Sequence, residues 1–371
     1  MKIFFIKTTW TLTVIVVFLF SISCNEPETP KTQYRGAMIQ PASFVKDNAA
    51  QLFGELWNAN LVRWQLNWGW PNGNADNATL EEYYVWLKEK LDQLDSFLPT
   101  LRQYGLNVCL DMHTTPGGRD PNGWPMRTFQ SQYWQDAFVE VWEYIANRYK
   151  DEELIWGYDL ANEPNEGKIP AGLLNWYELG FRAAKAIRRI DPETRIIFES
   201  REYAEPSGFE NFRIFDPDEV PNMVYSAHIY IPHIFAGQGE NGDWTPYHYP
   251  GTIPEGQWDT KQTYFDKEAL RKELAPLIKL QQQQGAKIFI GEFGVVRWAP
   301  DNSAYRYMRD LIELFEEYGW DWTYHAFREW HAFDWEISSP ETWWTDVRGP
   351  EPTETQLLIR EYFAKNEKQK R

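Results

Sequence analysis

Eight short segments rich in β-branched and aromatic residues alternate along the chain with longer segments whose apolar residues recur at a helical period. The predicted strands span residues 34–40, 61–68, 107–113, 155–163, 195–200, 223–230, 287–294 and 320–327. Helices are predicted around residues 48–59, 80–104, 130–149, 172–190, 266–284, 302–318 and 355–367. Only the link between the fifth and sixth strands lacks a clear helical pattern.

This alternation predicts parallel strands joined by right-handed helical crossovers. About eight such units close into a (β/α)8 TIM barrel, and we expect residues 34–371 to form one such α/β domain. The rival arrangement is an open, doubly wound sheet, which carries a glycine-rich phosphate turn after its first strand. Here Pro41-Ala42-Ser43 follows that strand, so a dinucleotide-binding fold is disfavoured.

The first 23 residues are typical of an export signal. Residues 1–7 carry two lysines and no acid, and residues 10–23 are apolar and hydroxylic. They end in Ser21-Ile22-Ser23-Cys24, which predicts a bacterial lipoprotein with Cys24 lipidated; the alternative is an ordinary cleaved signal. Residues 24–33 then form a flexible tether. We therefore expect an exported protein that meets the membrane only through its lipid anchor.

Charge and composition narrow the class of partner. The formal net charge of −17 argues against nucleic acid or an anionic membrane surface. Aromatic residues make up 17% of the chain, with 20 tryptophans, and flat rings suit the apolar faces of neutral sugars. With Cys24 lipidated, Cys109 has no disulfide partner within the chain and is predicted to be a core residue. We expect a monomer without a cofactor.

Polar residues stand within or at the ends of the predicted strands, where a barrel of this type builds its active site. They are Arg63, His113, Asn162, Glu163, His228, Tyr230 and Glu292. Random placement would scatter such residues over helices and loops as well. The pattern therefore predicts one site at the carboxyl end of the barrel.

Two of these residues suggest a chemistry. Cleavage of a glycosidic bond uses one carboxylic acid to protonate the departing oxygen and one carboxylate to meet the sugar carbon. Glu163 and Glu292 each close an apolar strand, the first before Pro164 and the second between two glycines. Either glutamate alone could be a structural ion pair with Arg63, but the two together favour a glycosidase.

The remaining acids and histidines are given structural roles. Asp111 is expected to be buried against Arg63, whereas local ion pairs are expected of Glu199 and Glu202 with Arg201, and of Glu329 with Arg328. We expect His113 and His228 to be neutral hydrogen-bonding groups, and the other histidines to be surface or satisfied loop residues: His233, His248, His325 and His331. The first strand lacks the paired histidines of metal-dependent barrel hydrolases, so no metal is expected.

Five motifs, in order along the chain, resemble those of glycoside hydrolase family 5, a cellulase-like family of (β/α)8 barrels. They are Val62-Arg63-Trp64, Asp111-Met112-His113, Asn162-Glu163-Pro164, His228-Ile229-Tyr230 and Gly291-Glu292-Phe293-Gly294. The likeness runs from about Tyr34 to the last predicted helix.

The resemblance implies a role for each matching residue. Glu292 would be the nucleophile and Glu163 the acid/base, with Asn162 on the sugar 2-hydroxyl. Arg63 and Tyr230 would keep Glu292 ionised and oriented. His113 and His228 would line the reacting subsite.

The sequence departs from the family after the eighth strand, where a tryptophan commonly stacks under the sugar. Residues 322–327 contain none beyond Trp322 at the start, so Trp330 is the candidate that reaches the position from the loop.

Two long connections suggest contact with a glycan. One covers residues 69–74, and the other runs from Ile231 to about Tyr264, with five aromatics: Phe235, Trp244, Tyr247, Tyr249 and Trp258. We expect retaining endo-action on a neutral β-glycan through a double displacement, with glucan first and mannan or a relative next as the substrate. The alternatives are a non-catalytic glycan-binding barrel and an exo-acting or glycolipid-directed glycosidase.

Overall fold

A closed barrel of eight parallel strands organises the protein. The computed structural model describes residues 32–69, 78–120, 125–240, 242, 244–254, 261–338 and 348–367. Strands one to eight are Arg35–Ile39, Leu61–Gln65, Asn107–Asp111, Ile155–Asp159, Arg195–Glu199, Met223–Ile229, Lys287–Phe293 and Asp321–Phe327. Each pairs with its neighbours in sequence, and strand eight closes on strand one. The predicted (β/α)8 barrel is confirmed.

Several features predicted from the sequence lie outside the described residues. They are the export signal, Cys24, most of the tether, the connection after Gly69 and the loop residue Trp258. Across the described ranges, no helix combines the length and apolar character needed to span a bilayer.

Helices surround the barrel at the positions that the helical pattern predicts. Those longer than six residues are Leu80–Gln103, Gln132–Tyr149, Trp176–Arg188, Lys267–Glu273, Ala275–Gln284, Ser303–Tyr318 and Glu354–Phe363. Two begin with a capping box, in which Thr79 pairs with Glu82 and Asn175 with Glu178. The stretch predicted as one helix over 266–284 is two, because Pro276 lacks the amide that would continue the first.

Three connections differ from a regular helical crossover. After strand one, the predicted helix over 48–59 is replaced by the short helix Pro41–Lys46 and the π-helical turn Gln51–Leu56. Between strands five and six lie only the short turns Arg201–Ala204 and Pro206–Phe209, as the missing pattern predicts. The connection after strand six contains an unpredicted antiparallel hairpin of Gly251–Pro254 and Gln262–Phe265, whose strands are too short to show a period.

The amino-terminal half of the barrel interior is filled with apolar side chains. The cluster consists of Tyr34, Leu61, Cys109, Trp156, Ile197, Val224 and Phe289. The ring of Trp156 lies 5.1 Å from that of Phe289 and 5.5 Å from that of Tyr34, centroid to centroid. Cys109 is buried as predicted, and burial raises the pKa of its thiol. Apolar side chains therefore plug the amino-terminal end of the barrel, and a cavity lies at the carboxyl ends of the strands.

We predict that Trp156→Ala lowers the free energy of unfolding by about 3–5 kcal/mol, because the plug cannot collapse around the missing indole. Chemical denaturation followed by far-UV circular dichroism measures the change. Leu357→Ala is the matched control, since that side chain is 49% exposed on the last helix. Equal effects of the two substitutions would contradict the account of the plug.

Candidate active site

The polar residues singled out in the sequence converge on the open end of the barrel. Arg63, His228 and Glu292 lie within strands, as predicted. Strand four ends at Asp159, however, so Asn162 and Glu163 belong to the following loop rather than to the strand. From that loop Glu163 lines, together with Glu292, a cavity of about 790 Å³.

Arg63 is fully buried under this cavity and holds several carboxylates at once. Its guanidinium lies 2.6 Å from an oxygen of Glu292, 2.9 Å from Asp159 and 2.9 Å from Glu199. The expected contact with Asp111 is confirmed at 3.0 Å. Four acids share one cation, and burial together with the charge of Glu199 raises the pKa of Asp159 well above its ordinary value. This excess of acid favours a proton on Asp159.

Glu292 is held as an anion with a fixed orientation. Its Oε1 accepts a hydrogen bond from Arg63, and its Oε2 accepts one of 2.7 Å from the hydroxyl of Tyr230. Burial alone would raise the pKa of this carboxyl, but His228, His325 and Arg63 outweigh burial and hold the pKa well below its ordinary range. An ionised carboxylate with one side chain donor on each oxygen is suited to attack on carbon.

The loop that carries Glu163 is fixed from both sides. Glu163 adopts a left-handed conformation, with φ of 49°, which a residue with a side chain adopts only where its surroundings enforce it. Its amide donates to Glu199 Oε2 at 2.6 Å, and its carbonyl accepts from Arg119 at 2.8 Å. Arg119 also donates to the carbonyl of Asn162. Sequence reasoning missed both Arg119 and this role of Glu199.

Glu163 and Glu292 are close neighbours with His228 between them. One oxygen of each glutamate and one ring nitrogen of His228 lie within 4.8 Å of one another. One pair of carboxylate oxygens therefore lies closer than the roughly 6.5–9.5 Å that separates the carboxyl groups of inverting glycosidases, as expected of a retaining arrangement.

A bulge between Ala227 and His228 in strand six sets His228 beside Glu292 in the sheet register. The His228 Nδ1 lies 3.1 Å from Glu163, and its Nε2 lies 3.1 Å from Glu199. Burial lowers the pKa of His228, but Glu199, Glu292 and Glu163 together raise it well above its ordinary value. The surroundings favour a charged ring, against the neutral one expected.

Asn162 and His113 complete the floor of the cavity. The Asn162 Oδ1 accepts from Arg63 at 3.1 Å, which turns its amide nitrogen toward the cavity. The His113 Nδ1 lies 2.8 Å from Asp111, which fixes the ring and leaves Nε2 for a ligand. Both side chains can therefore exchange hydrogen bonds with a polar ligand such as a sugar.

Three structural roles expected from local sequence are wrong. Glu199 pairs with Arg63 rather than Arg201, whereas Glu202 does lie 3.6 Å from Arg201. Glu329 pairs with His325 at 2.7 Å, because Arg328 is engaged by Glu336. His325 is not a surface or loop residue: it lies on strand eight, lines the cavity and approaches Glu292 to 3.6 Å.

The outer wall of the cavity comes from the connections after strands six and eight. Trp330 lines it from the latter connection, with its ring centroid 4.8 Å from that of Phe333, and its stacking under a sugar stays a prediction. Tyr247 lines it from the long connection after strand six. Phe235 and Tyr249 of the same connection are buried in the core, so the expectation that they contact a glycan is wrong.

The set formed by Glu163, His228 and Glu292 has the atom types and spacing of a metal site. A guanidinium 2.6 Å from Glu292 and a histidine that favours its protonated form both oppose a cation there. The arrangement instead fits two carboxylates that act directly on a bound ligand.

Comparison with known proteins agrees with this geometry. Residues 24–329 match the family model described as Cellulase (glycosyl hydrolase family 5). An endoglucanase C of Acetivibrio thermocellus is 29% identical over 258 residues, which cover 64% of this chain and 73% of that protein. A cellodextrinase A of Ruminococcus flavefaciens is 24% identical, over 75% of this chain and 76% of that protein.

Among solved structures, the endoglucanase Cel5A of Thermotoga maritima superposes with a TM-score of 0.60 at 21% identity, over 81% of this chain and 91% of that chain. This likeness supports the barrel fold. The family match spans most of the chain and includes Glu163, Glu292 and the residues that contact them. The chain therefore belongs to glycosyl hydrolase family 5 and is an O-glycoside hydrolase of the retaining type.

Proposed function

We propose that this protein cleaves internal bonds of an uncharged β-linked glucan, with Glu292 as nucleophile and Glu163 as acid and base. The observation that carries the proposal is the close approach of Glu163 to Glu292, on which Arg63 and Tyr230 converge. The endoglucanase and cellodextrinase names of the relatives support glucan as the substrate class. The net charge of −17 suits a neutral polymer rather than an acidic one.

In the first step, protonated Glu163 gives its proton to the glycosidic oxygen as the bond from that oxygen to the anomeric carbon breaks. An oxygen of Glu292 attacks the same carbon from the opposite face and forms a glycosyl ester. Glu163 suits proton exchange with solvent because its side chain is 28% exposed, against 5% for Glu292.

In the second step, the Glu163 carboxylate takes a proton from water as the water oxygen attacks the anomeric carbon. The ester bond breaks and Glu292 leaves as the carboxylate. Arg63 and Tyr230 stabilise Glu292 again as its negative charge returns. Two inversions leave the configuration of the sugar unchanged.

Different losses are predicted for the two glutamates. Glu292→Ala should lower kcat/KM on every β-glucoside by several orders of magnitude. Glu163→Ala should lose about 10²–10⁴-fold on natural oligosaccharides, the usual contribution of a general acid, but retain glycosylation by substrates with good leaving groups. Steady-state and burst kinetics with cello-oligosaccharides and dinitrophenyl β-cellobioside measure the difference.

Glu361→Ala, an exposed carboxylate on the last helix, is the control for loss of a negative charge. Equal loss on both substrate types for both active-site variants would contradict the assignment of roles. An absence of hydrolysis by the wild-type enzyme across neutral β-glucans would contradict the substrate class.

The pH dependence should reflect the lowered pKa of Glu292. A nucleophile whose pKa lies below its ordinary value of about 4.3 stays ionised as the pH falls toward that value. We expect kcat/KM for dinitrophenyl β-cellobioside, which needs little protonation, to stay level from about pH 6 to about pH 4.5. Circular dichroism at each pH excludes unfolding, and an acid limb with a midpoint at or above about pH 5 would count against the role of Arg63 and Tyr230.

We also propose that the enzyme is an exported lipoprotein anchored through Cys24. The proposal is supported by the lysines of residues 1–7, the apolar run over residues 10–23 and the box that ends at Cys24.

Cys24→Ala should release soluble enzyme or block maturation, because the acceptor of the lipid is lost. Fractionation of cells that carry the wild-type or variant gene measures the change, with Cys109→Ala as the control for loss of a thiol. Unchanged membrane association of Cys24→Ala would refute the anchor.

A further inference from the structure

His325 lies at the floor of the cavity with a partner on each ring nitrogen. Nδ1 is 2.7 Å from the hydroxyl oxygen of Tyr230, and Nε2 is 2.7 Å from Oε2 of Glu329. The side chain is 15% exposed and touches the ring of Phe333 edge-on, at 5.3 Å between centroids. Both contacts therefore lie in a region where an unmatched donor or acceptor is costly.

The hydrogen bonds define where the protons must be. The Tyr230 hydroxyl has one proton and lies 2.7 Å from Oε2 of Glu292, which as a carboxylate can only accept. Tyr230 therefore donates its proton in the hydrogen bond to Glu292, and Nδ1 of His325 must donate to the phenol oxygen. An ionised Glu329 also only accepts, so Nε2 must carry a proton as well. With both ring nitrogens protonated, His325 is an imidazolium.

Charges around the ring support this state. Glu329 is fixed by the His325 contact and by Gln65, whose Nε2 donates to its Oε1 at 3.4 Å. Burial raises the pKa of Glu329, but the charge and hydrogen bond of His325 outweigh it and lower the pKa below its ordinary value. Burial lowers the pKa of His325 in turn, and Glu329, Glu292 and Glu163 together raise it.

Other titratable and charged groups near the ring belong to every element packed around it. The acidic groups are Glu329 beyond strand eight, Glu292 on strand seven, Glu163 after strand four and Glu240 after strand six, and burial raises the pKa of Glu240 to about 7. The cationic or imidazole groups around Glu292 and Glu329 are Arg63, His113 and His228, with Tyr230 between His325 and Glu292. Within the described part of the chain, the charged groups in ion-pair distance of His325 are the carboxylates of Glu329 and Glu292.

We propose that His325 and Glu329 are a positioning pair for the nucleophile. Glu329 retains the second proton on His325, and the imidazolium donates a hydrogen bond to the Tyr230 oxygen. The single hydroxyl proton of Tyr230 is then always donated to the Glu292 carboxylate. The proposal rests on the proposed function in one respect, the role of Glu292 as nucleophile. His325 acts through Tyr230 and is a positioning residue rather than a catalytic one.

Loss of this proton would redirect the chain of hydrogen bonds. A neutral His325 would keep its proton on Nε2, because Glu329 can only accept. Nδ1 would then be an acceptor and would compete with Glu292 for the phenol proton. Glu292 would lose the donor that orients its Oε2, and a poorly aligned nucleophile can cost up to about 10²-fold in rate.

The proton on His325 can be measured without substrate. The chain contains six histidines, so selective ¹⁵N labelling gives a spectrum in which His325→Phe identifies the ring of His325. We expect both ring nitrogens to be protonated at pH 7.5, above the ordinary histidine pKa of about 6.5. In Glu329→Gln the pKa of the His325 ring should fall by at least about one unit, which is a tenfold easier loss of the second proton. A wild-type ring that is neutral at pH 7.5, or the same titration in both proteins, would overturn the proposal.

A double-mutant cycle tests the path through Tyr230. Glu329→Gln and Tyr230→Phe should each lower kcat/KM for dinitrophenyl β-cellobioside by about 10–100-fold, with KM little changed, at a pH where the spectra show His325 neutral in Glu329→Gln and charged in the wild type. The double variant should be no worse than Tyr230→Phe alone, because the neutral imidazole and the Tyr230→Phe substitution each remove the same hydrogen bond to Glu292. Losses that multiply in the double variant would overturn the proposal.

The matched control is Glu361→Gln, which removes the charge of an exposed carboxylate on the last helix and should leave kcat/KM unchanged. If His325→Phe does not fold, the spectrum of Glu329→Gln still decides the protonation of His325, with His325→Asn used to identify the ring. If the wild-type enzyme hydrolyses no β-glucoside, the proposed function fails, whereas the spectra still test the proton on His325.

Discussion

One buried guanidinium determines the chemistry of this barrel. Arg63 lies below the cavity with four carboxylates around it, and its attraction offsets part of the cost of burying them. Because a single cation cannot neutralise four anions, the surplus of negative charge raises the pKa of His228 and contributes with burial to the raised pKa of Asp159, which favours a proton on each. Removal of Arg63 would leave these buried carboxylates without the cation that they share. The ionised state of Glu292 and the stability of the barrel mouth therefore depend on the same side chain.

The same network extends to the loop that carries Glu163. One oxygen of Glu199 contacts Arg63, and the other accepts a hydrogen bond from the amide of Glu163. The acid/base residue is therefore held by a carboxylate that shares Arg63 with the nucleophile. Arg119 secures the other side of the loop through the Glu163 carbonyl. The left-handed conformation at Glu163 is thus maintained by two charged hydrogen bonds rather than by a glycine. The short distance between the two glutamates follows from this shared support.

The barrel strands and the two glutamates could be predicted from the sequence, because both produce a local pattern. Strands buried on both faces appear as short apolar runs, and acids such as Glu292 stand out at their ends. The contacts of Glu199 and Glu329 could not be found in this way. Each has an arginine within two positions in the sequence, but its actual partner is another residue. Closure of the barrel brings Arg63 to Glu199, and the turn after strand eight brings His325 to Glu329. Arg119 was missed for the same reason, since it lies far from Glu163 in the chain.

The central claim is that the network around Arg63 holds an ionised Glu292 close enough to Glu163 for a double displacement. The stereochemistry of hydrolysis tests it most directly, because a covalent intermediate and direct attack by water give opposite anomers. Proton NMR of a cello-oligosaccharide during the first minutes of hydrolysis by the wild-type enzyme should show the β-anomer of the new reducing end first, followed by slow mutarotation. Initial formation of the α-anomer would contradict the account.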